Sequence, residues 1–100
     1  MESFTILVIY KANKEGDREA FVNELTQKGV LDAIRSEDGC QSYDYYYSNE
    51  DKITLALYES WESPEHQKIH MTQPHMKTAM EIKGKYISSV KLKRIDIKDL

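Results

Sequence analysis

The segment 4–12 restricts the fold of this chain more than any other part of its sequence. It begins with Phe4-Thr5-Ile6-Leu7-Val8-Ile9-Tyr10, which is almost continuously apolar and rich in β-branched and aromatic residues. A strand with one wet face alternates apolar and polar residues, whereas a continuously apolar run is typical of a strand covered on both faces. The segment therefore predicts a strand in a sheet that is covered on both sides.

Three further segments have the pattern of strands and complete a four-stranded sheet. They are residues 43–47, 53–61 and 88–97. Tyr43, Tyr45 and Tyr47 share one face of the second strand, because side chains alternate along a strand. The alternation of the last strand is imperfect around Lys93-Arg94, which predicts a β-bulge at that point.

Helix signals separate these strands. Gly16 and Asp17 open a helix that stops at Gly29, and one or two further helical turns follow that glycine. The run Ser63-Pro64-Glu65 combines an N-cap hydroxyl, a proline at the first helical position and an acid in the first turn. Because a proline disrupts the interior of a helix, Pro74 is predicted to end one helix and start the next.

The order of these elements is β-α-β-β-α-β, the ferredoxin-like pattern of the α+β class, with a four-stranded antiparallel sheet. A chain of 100 residues is the size of one ordinary domain, so we expect residues 1–100 to form a single unit. Val8, Tyr10, Ala56 and Tyr58 cannot all face water. The face of the sheet without helices is therefore expected to pack against a second copy, which predicts a homodimer.

Charge and cysteine content exclude several classes of function. The net charge is −3 and the lysines and acids are interspersed, which argues against a nucleic-acid partner. Cys40 is the only cysteine, which fits a reducing compartment. Neither a signal-peptide pattern nor an apolar run of membrane-spanning length is present, so we expect a cytoplasmic protein without a membrane partner.

All three histidines of the chain, His66, His70 and His75, lie within one stretch of ten residues. His66 and His70 are four residues apart and share a helix face. Neither Cys40 nor a third histidine at helical spacing completes a set of metal ligands, so no metal is expected. Imidazoles can transfer protons near neutral pH. The alternative is that His70 and His75 only brace the junction at Pro74.

Trp61 and Glu59 share one face of the third strand. Trp61 is either part of the core or a flat wall against which an aromatic ligand stacks. Glu59 either pairs with a lysine of a helix or serves as a base or as the orienting partner of a histidine. The tyrosines of the second strand line a pocket or the dimer face, or they are there because tyrosine is intrinsically suited to a strand.

Two segments resemble the antibiotic biosynthesis monooxygenase family. They are Tyr58-Glu59-Ser60-Trp61-Glu62-Ser63-Pro64-Glu65 and His70-Met71-Thr72-Gln73-Pro74-His75-Met76. The resemblance extends from Phe4 to about Ile97 and implies a dimeric α+β barrel with one pocket per subunit between sheet and helices. It also implies an oxygenase that uses no metal, flavin or haem, in which a deprotonated phenol or hydroquinone itself reduces O₂.

Individual positions distinguish the branches of this family. Trp61 matches the tryptophan of polyketide-oxidising members, whereas Leu57, Gln67 and Met80 stand where those members have asparagine, tyrosine and arginine. Met80 also occupies the position of the haem-ligating histidine in haem-degrading relatives. The run Thr72-Gln73-Pro74-His75 is similar to a third branch, which includes quinol monooxygenase-like proteins and a cofactor-free isomerase of a phosphorylated sugar.

The sequence thus predicts a cofactor-independent monooxygenase that oxidises a small aromatic hydroquinone or phenol with O₂. His70 is the predicted general base and Glu59 its orienting partner. The other predicted site residues are His75 and His66, as second choices for proton transfer, and Trp61, Met80, Leu57 and Tyr45, as pocket walls. Two alternatives stay open: a cofactor-free isomerase, in which Lys68 and Lys77 hold a phosphate, and a non-enzymatic ligand-binding module.

Overall fold

In a computed structural model that describes residues 3–100, one antiparallel sheet carries the helices of these residues on one face. Residues 1 and 2 of the predicted domain lie outside the described residues. The strands are β1 (Phe4–Ala12), β2 (Cys40–Tyr47), β3 (Thr54–Trp61) and β4 (Ile87–Ile95). The helices are α1 (Asp17–Gln27), α2 (Val30–Arg35), α3 (Pro64–His70) and α4 (Pro74–Tyr86). The strand order β2-β3-β1-β4 confirms the ferredoxin-like prediction, with two helices in each crossover.

The boundaries of the helices follow from local sequence signals. Gly29 separates α1 from α2 and adopts φ 74°, a left-handed conformation that glycine adopts without steric strain. The Ser63 hydroxyl accepts a hydrogen bond from the backbone N–H of His66 at 3.3 Å, and Pro64 occupies the first turn of α3. Pro74 opens α4. These three helix signals are confirmed.

The core lies between the sheet and the helices. Val8 pairs with Leu57 and Tyr10 pairs with Leu55 across β1 and β3, so these four side chains share the face beneath the helices. All four are buried. They pack with apolar side chains of the helices, namely Phe21, Leu25, Val30, Leu31, Ile34 and Ile82.

Val8, Tyr10, Ala56 and Tyr58 together predict a second covered face, but the register shows that these four residues do not share a face. Ala56 pairs with Ile9 and lies on the opposite face from Val8 and Tyr10, as does Tyr58. Ala56 and Tyr58 are half-buried. Alternation could not distinguish the two faces of β1, because both of them carry apolar residues. The outer face nevertheless carries apolar groups, and the homodimer stays a prediction.

The predicted bulge at Lys93-Arg94 is wrong. These two residues pair in unbroken register with Leu7 and Ile6 of β1. The irregularity lies at the other end of the pair, where Ser88 is the extra residue and its hydroxyl donates to the carbonyl oxygen of Lys11 at 3.0 Å. Because β4 is an edge strand, charged residues occupy its exposed positions without any change in backbone pairing.

Strand β2 begins at Cys40, three residues before the predicted start. Asp38 and Gly39 form the turn that leads directly into it, with Gly39 at φ 82°. Within residues 3–100, every helix is too short or too polar to cross a membrane.

Candidate functional site

A cavity of about 210 Å³ lies between the sheet and the helices. Its lining includes the aromatic residues Tyr10, Tyr43 and Tyr45 and the titratable residues Glu59 and His70. The strands supply the tyrosines and Glu59 from one face of the sheet, while His70 is the last residue of α3. The cavity therefore combines an aromatic wall with two groups that can exchange protons.

His70 is a titratable residue, yet it is almost fully buried and has close contacts on several sides. Only 1% of its surface is exposed, and its ring lies 4.5 Å from the Trp61 ring at 33°. The Tyr43 ring packs edge to face against the His70 ring, with ring centroids 5.7 Å apart. Its Nδ1 atom is 2.8 Å from Oε2 of Glu37. Trp61, Tyr43 and Glu37 thus hold the ring in place, and because Nδ1 contacts Glu37, Nε2 is the nitrogen that remains for a molecule in the cavity that His70 lines.

Glu37 joins two histidines through a single oxygen atom. Its Oε2 atom is also 2.7 Å from Nε2 of His75, near the start of α4. We call Glu37, His70 and His75 the Glu37 cluster. Because a carboxylate only accepts hydrogen bonds, both imidazoles donate to it. A neutral His70 therefore carries its proton on Nδ1, and its Nε2 lone pair can accept a proton.

Glu59 is the second carboxyl group at the cavity, and its partner is Trp61. Its Oε1 atom accepts a hydrogen bond from the indole Nε1–H at 2.9 Å. Burial raises the pKa of Glu59, an effect opposed by the Trp61 hydrogen bond and by the nearby His70. Glu59 was predicted to orient His70, but the carboxylate within hydrogen-bond distance of His70 Nδ1 is that of Glu37.

The three tyrosines of the wall are neutral phenols at physiological pH. Burial raises the pKa of Tyr10, Tyr43 and Tyr45, and the charge of Glu59 adds to the effect at Tyr10 and Tyr43. Tyr43 meets Tyr45 edge to face, with ring centroids 6.1 Å apart. This wall offers aromatic surface and hydroxyl groups but no negative charge.

The structure brings together four of the predicted site residues at the cavity. His70, Glu59 and Tyr45 lie inside its lining, and Met80 lies in the lining with 56% of its surface exposed. Trp61 and Leu57 are in the core, with 0% and 1% exposed, and do not line the cavity. Trp61 supports the His70 ring from behind. His75 reaches the cavity only through the Glu37 cluster.

His66 belongs to a separate cleft of about 160 Å³, which Glu37 and Asp38 also line. Its Nδ1 atom is 2.6 Å from the Ser63 hydroxyl and its Nε2 atom is 3.4 Å from the Asp38 carboxylate. A side chain at Gly39 would overlap its ring. Of the lysines considered for phosphate binding, neither Lys68 nor Lys77 lines the cavity, whereas Lys83 does.

Glu37 is the site residue that the sequence pattern missed. It stands 33 and 38 residues from its two partners, so no local spacing connects it to them. The ligand atoms of Glu37, His70 and His75 all lie within 4.8 Å of one another. No metal site was expected because only Cys40 and histidines at helical spacing were considered as ligands. Glu37 is a third candidate ligand, and it comes from a loop distant in the sequence.

Comparison with known proteins gives a consistent picture of the fold. A family model described as antibiotic biosynthesis monooxygenase matches residues 4–82. The solved structure of PA3566 from Pseudomonas aeruginosa is 20% identical, covers 99% of this chain and 97% of its own, and has a TM-score of 0.82. Rv0793 from Mycobacterium tuberculosis is 23% identical over 99% of this chain and 98% of its own, with a TM-score of 0.78.

A Bacteroides thetaiotaomicron protein of unknown function, described as a possible oxidoreductase, is 20% identical over 95% of this chain and 97% of its own, with a TM-score of 0.80. At these identities the structural likeness shows a shared fold and nothing of the chemistry. No curated protein matches the sequence.

Proposed function

This chain belongs to the antibiotic biosynthesis monooxygenase family, and we propose that it oxidises a single-ring aromatic hydroquinone with O₂ without a metal or organic cofactor. The observation that carries the proposal is the placement of His70. Its ring is buried at the wall of an aromatic cavity, and Glu37 holds the tautomer whose Nε2 atom can accept a proton. Such a group is suited to remove a phenolic proton.

The size of the cavity favours a substrate with one ring. A cavity of about 150 Å³ in an apolar core accommodates benzene, and the cavity here measures about 210 Å³. One aromatic ring with one or two small substituents fits this space, whereas a polycyclic phenol requires more. Tyr43 and Tyr45 supply surfaces on which such a ring packs.

The reaction begins when Nε2 of His70 takes a proton from a hydroxyl group of the substrate. Glu37 stabilises the resulting imidazolium through its hydrogen bond to Nδ1, as a carboxylate does for a catalytic histidine in general. His75 acts on this step only as a positioning residue, because it contacts Glu37 rather than the cavity. The second carboxyl group, Glu59, is the further candidate for holding a proton near the substrate.

The electron-rich anion then reduces O₂. One oxygen atom forms a new carbon–oxygen bond on the ring, and the other leaves as water after the oxygen–oxygen bond breaks. Hydroquinone and O₂ together become hydroxyquinone and H₂O, so the atoms balance. All the electrons that reduce O₂ come from the ring, and no other reductant is required.

Oxygen uptake by metal-stripped protein tests the proposal. The substrates are a panel of single-ring hydroquinones, with polycyclic phenols for comparison, and the variants are His70→Asn and His66→Asn. We expect catalytic uptake with single-ring substrates and a fall of about 100- to 10,000-fold in His70→Asn, the usual contribution of a general base. His66→Asn is the matched control because His66 lies in the separate cleft.

Thermal unfolding of each variant separates loss of chemistry from loss of fold. His70→Gln is the second variant in case His70→Asn does not fold. Uptake that is unchanged in a folded His70 variant would contradict the role of His70. A wild-type protein that consumes no oxygen with any substrate of the panel would overturn the oxygenase proposal.

A further inference from the structure

We propose that the Glu37 cluster is also a binding site for one divalent transition-metal ion of the Zn²⁺ class, and that the bound ion inhibits the oxygenase reaction. The binding site is inferred from the cluster alone. The inhibition rests on the function proposed above, because it depends on the role of His70 as a base.

The ligand set is the first argument for this site. Two imidazole nitrogens and one carboxylate oxygen all lie within 4.8 Å of one another, and two histidines with one glutamate are a known zinc ligand set that leaves room for water. The nitrogens of His70 and His75 are now 2.8 and 2.7 Å from the Glu37 oxygen. Ligands of a tetrahedral zinc ion stand about 3.3 Å apart, so each contact must open by roughly half an ångström.

The surroundings allow that movement and give an ion access to the cluster. The His75 side chain is 22% exposed and can shift toward solvent, whereas the His70 ring is fixed by Trp61. Glu37 lines the cleft of about 160 Å³, which leaves space for the water that completes the coordination. Asp38 also lines this cleft, so its carboxylate adds to the attraction for a cation.

Binding of the ion changes the tautomer of His70. In the metal-free protein the ring proton sits on Nδ1 and is donated to Glu37. When the metal takes the Nδ1 lone pair, the single proton of the neutral ring must move to Nε2. Nε2, the nitrogen that does not bind the metal, is then a donor with no lone pair, so it cannot remove a proton from the substrate.

Isothermal titration of untagged, metal-stripped protein with Zn²⁺ tests the site directly, without any oxygenase reaction. We expect one ion per chain, with an affinity that falls at least about tenfold in His75→Ala, since even an outer-shell partner of a metal site contributes that much. Mg²⁺ is the control ion because it prefers oxygen ligands. The matched control variant is His66→Ala, from the other group of close ligands, Asp38, Glu62 and His66.

Binding that is unchanged in His75→Ala, or equally tight for Mg²⁺, would overturn the site. Binding lost in His66→Ala would also overturn it, since the ion would then lie in the neighbouring group. Glu37→Gln is the second variant in case His75→Ala does not fold, and the same loss of affinity is expected. The visible spectrum of the Co²⁺-loaded protein, which reports ligand number and geometry, should change in the same variants.

Oxygen uptake measured during the Zn²⁺ titration tests the inhibition. We expect uptake to fall with the same midpoint as ion binding. Uptake that persists when the site is filled would overturn the inhibition and leave binding intact. A protein that binds Zn²⁺ at the cluster but never consumes oxygen would instead contradict the proposed function, so the two failures are distinguishable.

Discussion

Two charged side chains each secure a loop at opposite ends of the hairpin formed by β2 and β3. At one end, Nη1 of Arg18 donates to the carbonyl oxygens of Ser48, Asp51 and Thr54 at 3.0, 3.1 and 2.7 Å. We call this arrangement the Arg18 clamp. At the other end, Glu37 accepts from His70 and His75 in the Glu37 cluster. Both central side chains are sheltered, with about 10% of each exposed.

The difference between the two lies in the partners. A guanidinium stays charged at all physiological pH values and backbone carbonyls do not titrate, so the Arg18 clamp has a single state. The imidazoles of the Glu37 cluster can gain, lose or relocate a proton, and they can also bind a metal. The Arg18 clamp therefore has partners that can only stabilise the fold, whereas the Glu37 cluster has partners that could also take part in the chemistry proposed above.

The largest expected effect on stability comes from breaking the Arg18 clamp. Arg18→Ala removes a charged donor from three carbonyl oxygens, and we expect a loss of about 3 kcal/mol in the free energy of unfolding. Urea unfolding measures this loss. Oxygen uptake per folded molecule should stay within about twofold of wild type, because Arg18 does not line the cavity. A large fall in uptake by the folded variant would contradict the comparison.

The reverse outcome is expected for the Glu37 cluster. In Glu37→Gln the amide retains the size of the side chain but no longer stabilises a protonated His70. We expect oxygen uptake to fall about 30-fold, which corresponds to about 2 kcal/mol in the reaction barrier. The free energy of unfolding should change less than it does in Arg18→Ala. The comparison fails if Glu37→Gln destabilises the fold more than it slows the reaction.

Stability measured over a range of pH compares Glu59, whose pKa is raised, with Glu24, whose pKa is lowered. Burial raises the pKa of Glu59 above 4.5, so the folded chain retains a proton that the unfolded chain has released. Stability of the wild type therefore falls as pH rises from about 4.5 through the raised pKa. We expect the stability of Glu59→Gln, relative to wild type, to rise with pH over this window, as measured by urea unfolding.

Glu24 provides the control for that series. Hydrogen bonds from Lys85 and Tyr86 lower its pKa to about 2. The wild type thus gains stability from Glu24 as pH rises from about 2 to 4.5. Glu24→Gln should lose stability relative to wild type in that range, the opposite sign to Glu59→Gln. Equal signs for the two variants would contradict the assigned causes of the pKa shifts.

The smallest effect is expected beside the Arg18 clamp. Lys52 and Glu15 form an ion pair at 3.3 Å in which both side chains are more than 70% exposed. Solvent screens such a pair, so Lys52→Ala should leave the midpoint of urea unfolding unchanged within error. A loss of stability comparable to that of Arg18→Ala would show that burial from solvent does not explain why the Arg18 clamp stabilises the fold more than a surface ion pair.

Local patterns predicted most of the fold and a part of the site. The glycine stop at Gly29, the capped start at Ser63-Pro64 and the restart at Pro74 depend on residues that are neighbours in the chain. Alternation along β3 likewise placed Glu59 and Trp61 on the helix face. Each of these features has a period or a spacing that can be read directly.

Other features required the packed molecule. Because both faces of β1 are apolar, the sequence did not indicate which face meets the helices. The charged residues of edge strand β4 interrupted its alternation and were wrongly interpreted as a bulge. Trp61 matched a family position but is buried behind His70, because the rings pack against each other. The position of a side chain relative to a cavity depends on the elements that cover it, which alternation along one strand does not describe.

The order of strands and helices was determined by the sequence itself, because periodicity, capping and turn residues act over a few neighbouring positions. The arrangement of charges was decided by tertiary structure. Glu37 contacts His70 and His75, which are 33 and 38 residues away in the sequence. Contacts over such distances form only when the chain packs, and no spacing along the sequence records them.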